Sequence, residues 1–102
     1  MADVYWSVDA SRDLSDIATF IAAGSPGHAR AFVDRLRGAA ERLREFPALG
    51  RRVPELEDPE MREIIVGDYR VIYRLRGDVV GIAAVIHGSR DVARLAGRQP
   101  GT

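Results

Sequence analysis

Residues Met61–Arg90 read MREIIVGDYRVIYRLRGDVVGIAAVIHGSR, and this stretch decides the fold. Tyrosine, valine and isoleucine are dense in it, as they are in half-buried strands. Two glycine–aspartate pairs, Gly67-Asp68 and Gly77-Asp78, are typical of tight turns between neighbouring strands. The stretch therefore predicts three consecutive antiparallel strands.

The middle strand alternates between two kinds of side chain. The alternation predicts Tyr69, Val71, Tyr73 and Leu75 on one face, and Arg70, Ile72, Arg74 and Arg76 on the other. A sheet face that carries so many arginines is not a pure core face. We interpret it as the floor of a binding surface that the rest of the chain supports.

The residues before this stretch predict a strand followed by a helix. A short strand is expected over residues 3–8, with Trp6 packed in the fold. The helix is predicted to begin near Ala10, where Asp9 or Ser11 can accept the free N–H groups of its first turn. It is predicted to end at Gly24, because glycine readily adopts the left-handed conformation that stops a helix.

Prolines mark the second helix and the connector that follows it. Ser25 and Pro26 are typical of a helix start, and this helix is predicted to run to about Phe46, before Pro47. Residues 48–59 are predicted to form an irregular connector, and residues 55–60 are mostly acidic. After the third strand, residues 88–96 could make a short helical turn, and residues 97–102 are expected to be frayed.

These elements predict an α+β fold of one domain over residues 1–102. Their order is an N-terminal strand, a helical hairpin and a three-stranded antiparallel meander, with the strands in one sheet. The helical hairpin is expected to bury its apolar stripes on one face of this sheet. The opposite face, which carries the arginines, is expected to stay open for a partner.

Composition restricts the class of protein and of partner. The 102 residues include 15 acidic and 15 basic side chains, every basic one is arginine, and cysteine is absent. Disulfides and cysteine-based zinc sites are therefore excluded, and we expect no metal and no cofactor. No apolar run approaches the about 20 residues of a membrane span. Because cysteine is absent, a protein of the reducing cytoplasm is expected. Because the net charge is zero, sequence-specific DNA binding by this chain alone is not expected.

Five motifs occur in a fixed order along nearly the whole chain. They are a tryptophan strand followed by Ala10-x-x-Asp13-Leu14-x-x-Ile17; Phe46-Pro47-x-x-Gly50-Arg51; Arg62-Glu63 before a strand; Gly67-x-Tyr69-Arg70-Val71-Ile72-Tyr73-Arg74; and Val85-Ile86-His87-Gly88-x-Arg90. Together they resemble the RelE/ParE superfamily of toxins from type II toxin–antitoxin systems. The fourth and fifth motifs are most similar to the ParE branch.

The resemblance implies a small α+β toxin that is neutralised by the flexible C-terminal segment of a cognate, ParD-like antitoxin. ParE-type members bind DNA gyrase and trap it on broken DNA, which arrests growth, whereas RelE-type members cut messenger RNA on the ribosome. The ParE-like pattern, the zero net charge and the absence of the lysines that RelE-type toxins carry favour DNA gyrase as the target. A ribosome-dependent endoribonuclease is the alternative.

The resemblance also selects candidate contact residues. Binding to the target or the antitoxin is predicted for Arg51, Arg52, Arg62, Arg70, Tyr73, His87 and Arg90. None of them is expected to be catalytic in a gyrase inhibitor. In a ribonuclease, Arg70 and Arg90 would hold the phosphate and His87 would transfer a proton, with Arg70 and His87 meeting on the open sheet face.

Structural roles remain open for the same residues. Arg70 could only pair with Glu63 across adjacent strands, and His87 could bond a backbone carbonyl or cap the tail. Tyr69 and Tyr73 could pack in the core. The arginines Arg51, Arg52, Arg74 and Arg76 could be solvated.

Overall fold

The computed structural model describes residues 1–90 and 92–95. Its strands and longer helices are, in chain order, β1 (Asp3–Trp6), α1 (Val8–Gly24), α2 (Pro26–Glu41), β2 (Arg51–Arg52), β3 (Met61–Val66), β4 (Tyr69–Arg76) and β5 (Val79–His87). Short 3-10 helices cover Arg42–Arg44 and Val92–Leu95. None of the described helices is both long and apolar enough to cross a bilayer. Residues 97–102, for which the sequence predicts fraying, lie outside the described residues.

The strands form one five-stranded sheet in the order β1-β5-β4-β3-β2. The predicted antiparallel meander of β3, β4 and β5 is confirmed. Its two turns contain Gly67 and Gly77 with φ angles of 60° and 62°, a conformation that favours glycine. β1 pairs parallel to β5, and the two-residue β2, which the sequence does not predict, pairs antiparallel to β3. The α+β class is therefore confirmed.

Helix α1 begins two residues earlier than the sequence predicts. Ser7, rather than Asp9 or Ser11, is its cap, and the Ser7 hydroxyl accepts the N–H of Ala10 at 3.0 Å. Ser7 is selected because β1 ends just before it, so its backbone is extended and its side chain points at the first helical turn. The predicted end of the helix at Gly24 is confirmed, but Gly24 does not have the expected left-handed conformation. The extended backbone of Ser25 ends the helix instead, and its N–H donates to the carbonyl of Ile21.

Helix α2 begins as predicted and ends early. The Ser25 hydroxyl accepts the N–H of His28 at 3.2 Å, and Pro26 is the first helical residue. The α-helix ends at Glu41, and the chain tightens into a 3-10 turn instead of continuing to Phe46. The tighter turn leads the chain into the loop before β2.

The two helices bury their apolar stripes on one face of the sheet, which we call the helix side. Leu14 of α1 and Leu36 of α2 belong to the same buried cluster as Val71 and Tyr73 of β4. Trp6 is partly buried against this cluster, in agreement with the expected packing role. The structure therefore confirms the predicted alternation of β4 on this side.

The opposite face, which we call the far face, is not open. Ile72 of β4 and Ala84 of β5 are buried there together with Val53 of the connector and Val92 of the C-terminal 3-10 helix. The expectation of an uncovered arginine-bearing face is therefore wrong. It fails because two segments that read as polar cover the sheet with apolar side chains, Val53 and Leu56 from the connector and Val92 and Leu95 from the C-terminal 3-10 helix.

A β-bulge at Ala83 changes the side on which the residues of β5 lie. The register pairs Tyr73 with Ile82 and then Ile72 with Ala84, so β5 contains one more residue than β4 at this point, Ala83. As a result, even-numbered side chains of β5 lie on the helix side before the bulge, and odd-numbered ones lie there after it.

The hydroxyl of Tyr73 fixes the loop between α2 and β2. It donates to the carbonyl of Pro47 at 2.8 Å and accepts the N–H of Gly50 at 2.9 Å. Burial raises the pKa of Tyr73, because a phenolate would lose its hydration there. A Cβ at Gly50 would lie 2.6 Å from both the Tyr73 hydroxyl and the carbonyl oxygen of Glu63, so only glycine fits. The motif Phe46-Pro47-x-x-Gly50 therefore forms the loop that is hydrogen-bonded to the hydroxyl of Tyr73.

Replacing Gly50 by alanine is expected to lower the free energy of unfolding by about 1–3 kcal/mol, because the loop or Tyr73 must move to admit the methyl group. Gly38 of α2 is the matched control, since a Cβ there meets nothing within 4 Å. Gly38→Ala should raise the free energy of unfolding by up to about 1 kcal/mol. Urea unfolding followed by circular dichroism measures both values, and a neutral Gly50→Ala would contradict the close packing of the loop.

Candidate functional site

Arg70, the central candidate residue, is buried on the far face between two carboxylates. Its Nε donates to Glu63 Oε1 at 2.6 Å, and its Nη1 and Nη2 donate to the two carboxylate oxygens of Glu55 at 2.7 and 2.8 Å. Arg70 is 6% exposed and Glu63 is 1% exposed. The alternative in which Arg70 pairs with Glu63 across adjacent strands is therefore present, but as an enclosed contact and not at a rim.

The charges of this cluster balance one another. Arg51 of β2 donates from its Nε to the second carboxylate oxygen of Glu63 at 2.7 Å, so two arginines face two glutamates. The hydrogen bond from Arg70 is the main reason that the pKa of Glu55 is lowered from 4.5 to about 2. The bonds to Glu55 and then to Glu63 raise the pKa of Arg70. The cluster joins β2, β3, β4 and the connector.

The acidic connector also neutralises the two remaining arginines of β4. Arg74 forms salt bridges with Asp58 and Glu60 at 2.8 Å, and Arg76 forms one with Glu60 at 2.8 Å. Hydrogen bonds from Arg76 and then from Arg74 lower the pKa of Glu60. We call Glu55, Asp58 and Glu60 the acidic strap. The acidic residues between positions 55 and 60 could have predicted these contacts, because their negative charge complements the arginines of β4.

His87 lies on the helix side of the sheet, away from Arg70. It pairs with Tyr69 in the strand register, and the two rings meet edge to face with centroids 5.5 Å apart. Arg70 pairs instead with Ile86, which packs on the far face. The expectation that Arg70 and His87 meet on one face is therefore wrong. The Nδ1 of His87 accepts the N–H of Ser89 at 3.2 Å, which makes His87 a cap of the turn after β5.

A groove of about 600 Å³ lies between α1 and the end of β5. Its lining includes Asp16, Ile17, Phe20, His87 and Arg90. Phe20 is 77% exposed, and an exposed aromatic ring beside charged groups suits contact with another protein. Sequence reasoning missed Phe20, although a phenylalanine outside the apolar stripe of α1 was a usable signal.

The remaining candidates are distributed over the structure. Tyr73 is fully buried and holds a loop, so it is not presented on the surface. Arg52 and Arg62 are opposite each other on β2 and β3, and Arg62 donates to the carbonyl of Gly50 at 2.7 Å. No group of three or more metal-ligating side chains is found within residues 1–90 and 92–95. The six other candidates lie in three separate places. Arg51 and Arg70 both bind Glu63, and Arg52 lies opposite Arg62 in the strand register. His87 and Arg90 line the groove beside α1.

Comparison with known proteins identifies the family. A family model described as "ParE toxin of type II toxin-antitoxin system, parDE" matches residues 4–92. The chain belongs to the ParE toxin family. Toxin RelE2 of Caulobacter vibrioides is 34% identical to it over 91 residues, which are 88% of this chain and 99% of that protein. Toxin ParE3 of the same species is 34% identical over 71 residues, which cover 70% of each chain.

A solved structure titled "Chromosomal ParDE TA system from P. aeruginosa" has the same fold as this ParE family toxin. The TM-score is 0.70, and the match covers 85% of this chain and 96% of that chain at 20% identity. The resemblance to the RelE/ParE superfamily is therefore confirmed, and the chain is a toxin of a type II toxin–antitoxin system.

Removing Arg70 from this ParE family toxin should strongly destabilise the fold. Arg70→Met is expected to lower the free energy of unfolding by about 3 kcal/mol or more, because buried Glu63 then keeps only the exposed Arg51 as a partner. Arg76→Met is the control, since the Arg76 side chain is 71% exposed and its surface pair should contribute about 1 kcal/mol or less. Chemical unfolding at neutral pH measures both variants, and equal small losses would show that Glu63 does not depend on Arg70.

The low pKa of Glu55 predicts a loss of stability in acid. A carboxylate whose pKa falls on folding stabilises the folded state above its ordinary value of 4.5, and this contribution is lost as the pH falls towards about 2. In the Glu55→Gln variant, the free energy of unfolding should therefore decrease less than in the wild type as the pH falls from 4.5 to about 2. Glu57→Gln is the control, because no salt bridge of the described residues includes Glu57. Identical pH profiles for wild type and Glu55→Gln would contradict this role.

Proposed function

We propose that this ParE family toxin binds DNA gyrase, holds it on cleaved DNA and so arrests replication and growth. Neutralisation by a cognate, ParD-like antitoxin is part of the proposal. It is supported by the match to the ParE family and by the similar structure, which is titled as a ParDE system.

The observation that carries the proposal is the separation of Arg70 from His87 by the sheet. Cleavage of RNA requires a proton donor or acceptor and a cation at the same phosphate group. Here Arg70 belongs to the far face and His87 to the helix side. The guanidinium of Arg70 is also held by Glu55 and Glu63. This arrangement favours a toxin that acts by binding.

The groove beside α1 supports a protein target. Phe20 is exposed there next to the partly buried Ile17, and His87 and Arg90 line the same groove. Aromatic and arginine side chains are enriched at the centre of protein–protein interfaces. We place the contact with gyrase in this groove.

A ribosome-dependent endoribonuclease is the second candidate. It is favoured by the 34% identity to a protein named Toxin RelE2 over 88% of this chain. It would need a catalytic set without Arg70, and His87 with Arg90 is the available pair because both line the groove of about 600 Å³.

Purified protein should reduce supercoiling by DNA gyrase and increase the amount of cleaved plasmid on a gel. His87→Ala separates the two candidates. A binding toxin should lose gyrase inhibition by about tenfold or less, because His87 is one of several side chains of the groove. Loss of a general acid or base lowers RNA cleavage by about 10²- to 10⁴-fold. If gyrase is unaffected, and toeprinting on programmed ribosomes reveals A-site cuts that His87→Ala abolishes, the second candidate replaces the first.

A further inference from the structure

The last part of β5 has no partner strand on its outer edge in the described part of the chain. β1 pairs with β5 only as far as Trp6, which lies opposite Ile82, and the N–H of Ser7 makes the last bond to the carbonyl of Ile82. β5 continues beyond Ile82 to His87. The outer edge of this last part therefore faces helix α1 and the groove beside α1 instead of a strand.

The hydrogen bonds at the end of β5 show which main-chain groups point outward. The N–H of Gly88 donates to the carbonyl of Asp68 at 2.8 Å. Because the direction of these groups alternates along a strand, Ile86, two residues earlier, also directs its N–H and C=O towards β4. Val85 and His87 therefore direct their N–H and C=O groups to the outer edge.

Half of these outward groups are already bonded within the chain. The N–H of Val85 donates to the carboxylate of Asp13 at 3.0 Å, and the C=O of His87 accepts the N–H of Arg90 at 2.9 Å. No hydrogen bond among residues 1–90 and 92–95 uses the C=O of Val85 or the N–H of His87. One acceptor and one donor are therefore available on this edge.

The positions of this acceptor and this donor select a parallel partner. A residue of an antiparallel strand exchanges two bonds with the N–H and C=O of a single residue, whereas a residue of a parallel strand bonds the C=O of one residue and the N–H two residues later. Val85 and His87 each offer only one group, so an antiparallel strand cannot make its two bonds here. The C=O of Val85 and the N–H of His87 together fit one residue of a strand that runs in the same direction as β1, which is also parallel to β5.

The groove beside α1 offers side chains to an extended peptide at this edge. It has a volume of about 600 Å³, and Ile17 and the exposed Phe20 line it on the side of α1. Asp16 lines the same groove and forms no salt bridge with any residue that the structure describes. An acidic side chain next to an exposed aromatic ring complements a segment with both basic and apolar side chains.

We propose that the groove binds an extended segment of DNA gyrase as a short parallel strand beside the end of β5. One residue of the segment donates to the C=O of Val85 and accepts the N–H of His87. Its neighbours place a basic side chain at Asp16 and apolar side chains on Ile17 and Phe20. This rests on the proposed function, which places gyrase in this groove. The available acceptor needs an N–H, which a peptide backbone supplies and a sugar–phosphate backbone does not.

Hydrogen exchange of the full-length toxin, measured with and without purified gyrase, tests the added strand. In the free toxin the amide of His87 should exchange about 10-fold or more faster than the amide of Ile86, which is bonded to β4. Gyrase should slow the His87 amide by about 10-fold or more beyond any change at Ile86. A His87 amide that stays unprotected in the complex overturns the inference.

Two pairs of variants test the main-chain and side-chain contacts by their affinity for gyrase. His87→Ala removes the ring, whereas His87→Pro removes the ring and an N–H that points away from β4. His87→Pro should therefore bind about fivefold or more weakly than His87→Ala. Asp16→Asn should weaken binding by about fivefold, and its control Asp34→Asn, which changes an exposed carboxylate of α2, should bind within about twofold of the wild type. Circular dichroism checks that each variant keeps the fold.

The outcomes separate this inference from the proposed function. Equal binding of gyrase by His87→Pro and His87→Ala overturns the added strand and leaves gyrase as the target. A wild-type toxin that does not bind gyrase overturns both. A His87 amide that is already protected in the toxin alone assigns the edge to the chain's own residues or to a second copy. Protection by the antitoxin and not by gyrase assigns it to the antitoxin, and either result also overturns the inference.

Discussion

A single buried carboxylate organises the far face of the sheet. Glu63 is 1% exposed, and a buried carboxylate without a partner is among the most costly groups a fold can contain. Its two oxygens bind Arg51 of β2 and Arg70 of β4, so one side chain on β3 joins both neighbouring strands. Arg70 in turn binds Glu55 and fixes the connector over the sheet. With Glu63 buried, the guanidinium of Arg70 must turn inward.

The same constraint decides where charge is available to a partner. The acidic strap and Glu63 neutralise the arginines at positions 70, 74 and 76, so the face with the most arginines in the sequence has no free cation among the described residues. Arg52 and Arg62, at the edge of β3, form no salt bridge with any residue that the structure describes. A zero net charge therefore describes the sum over the chain and leaves room for a local positive site.

Sequence reasoning predicted the meander, its turns and the two sides of β4, because a strand buried on both faces has little freedom in its register. It could not predict that the far face is covered, since the residues that cover it are a few apolar side chains in polar segments, such as Val53 and Val92, and their contacts are tertiary. The cap of α1 was missed because the choice between Ser7 and its neighbours depends on where β1 ends. The sequence named Arg70 and His87 as candidates, but it could not predict that they occupy opposite faces of the sheet.

The bulge at Ala83 explains why residues that match a nuclease pattern do not form one site. If the register at the start of β5 continued without a break, His87 would lie on the far face, the same face as Arg70. One extra residue in β5 exchanges the sides of every residue beyond it, and His87 packs against Tyr69 on the helix side instead. A motif counts residues along the chain, whereas a catalytic pair depends on which side of the sheet each residue occupies. The residues around Ala83 have small side chains that do not predict a bulge. The sequence can therefore match both motif positions although Arg70 and His87 do not form a catalytic pair.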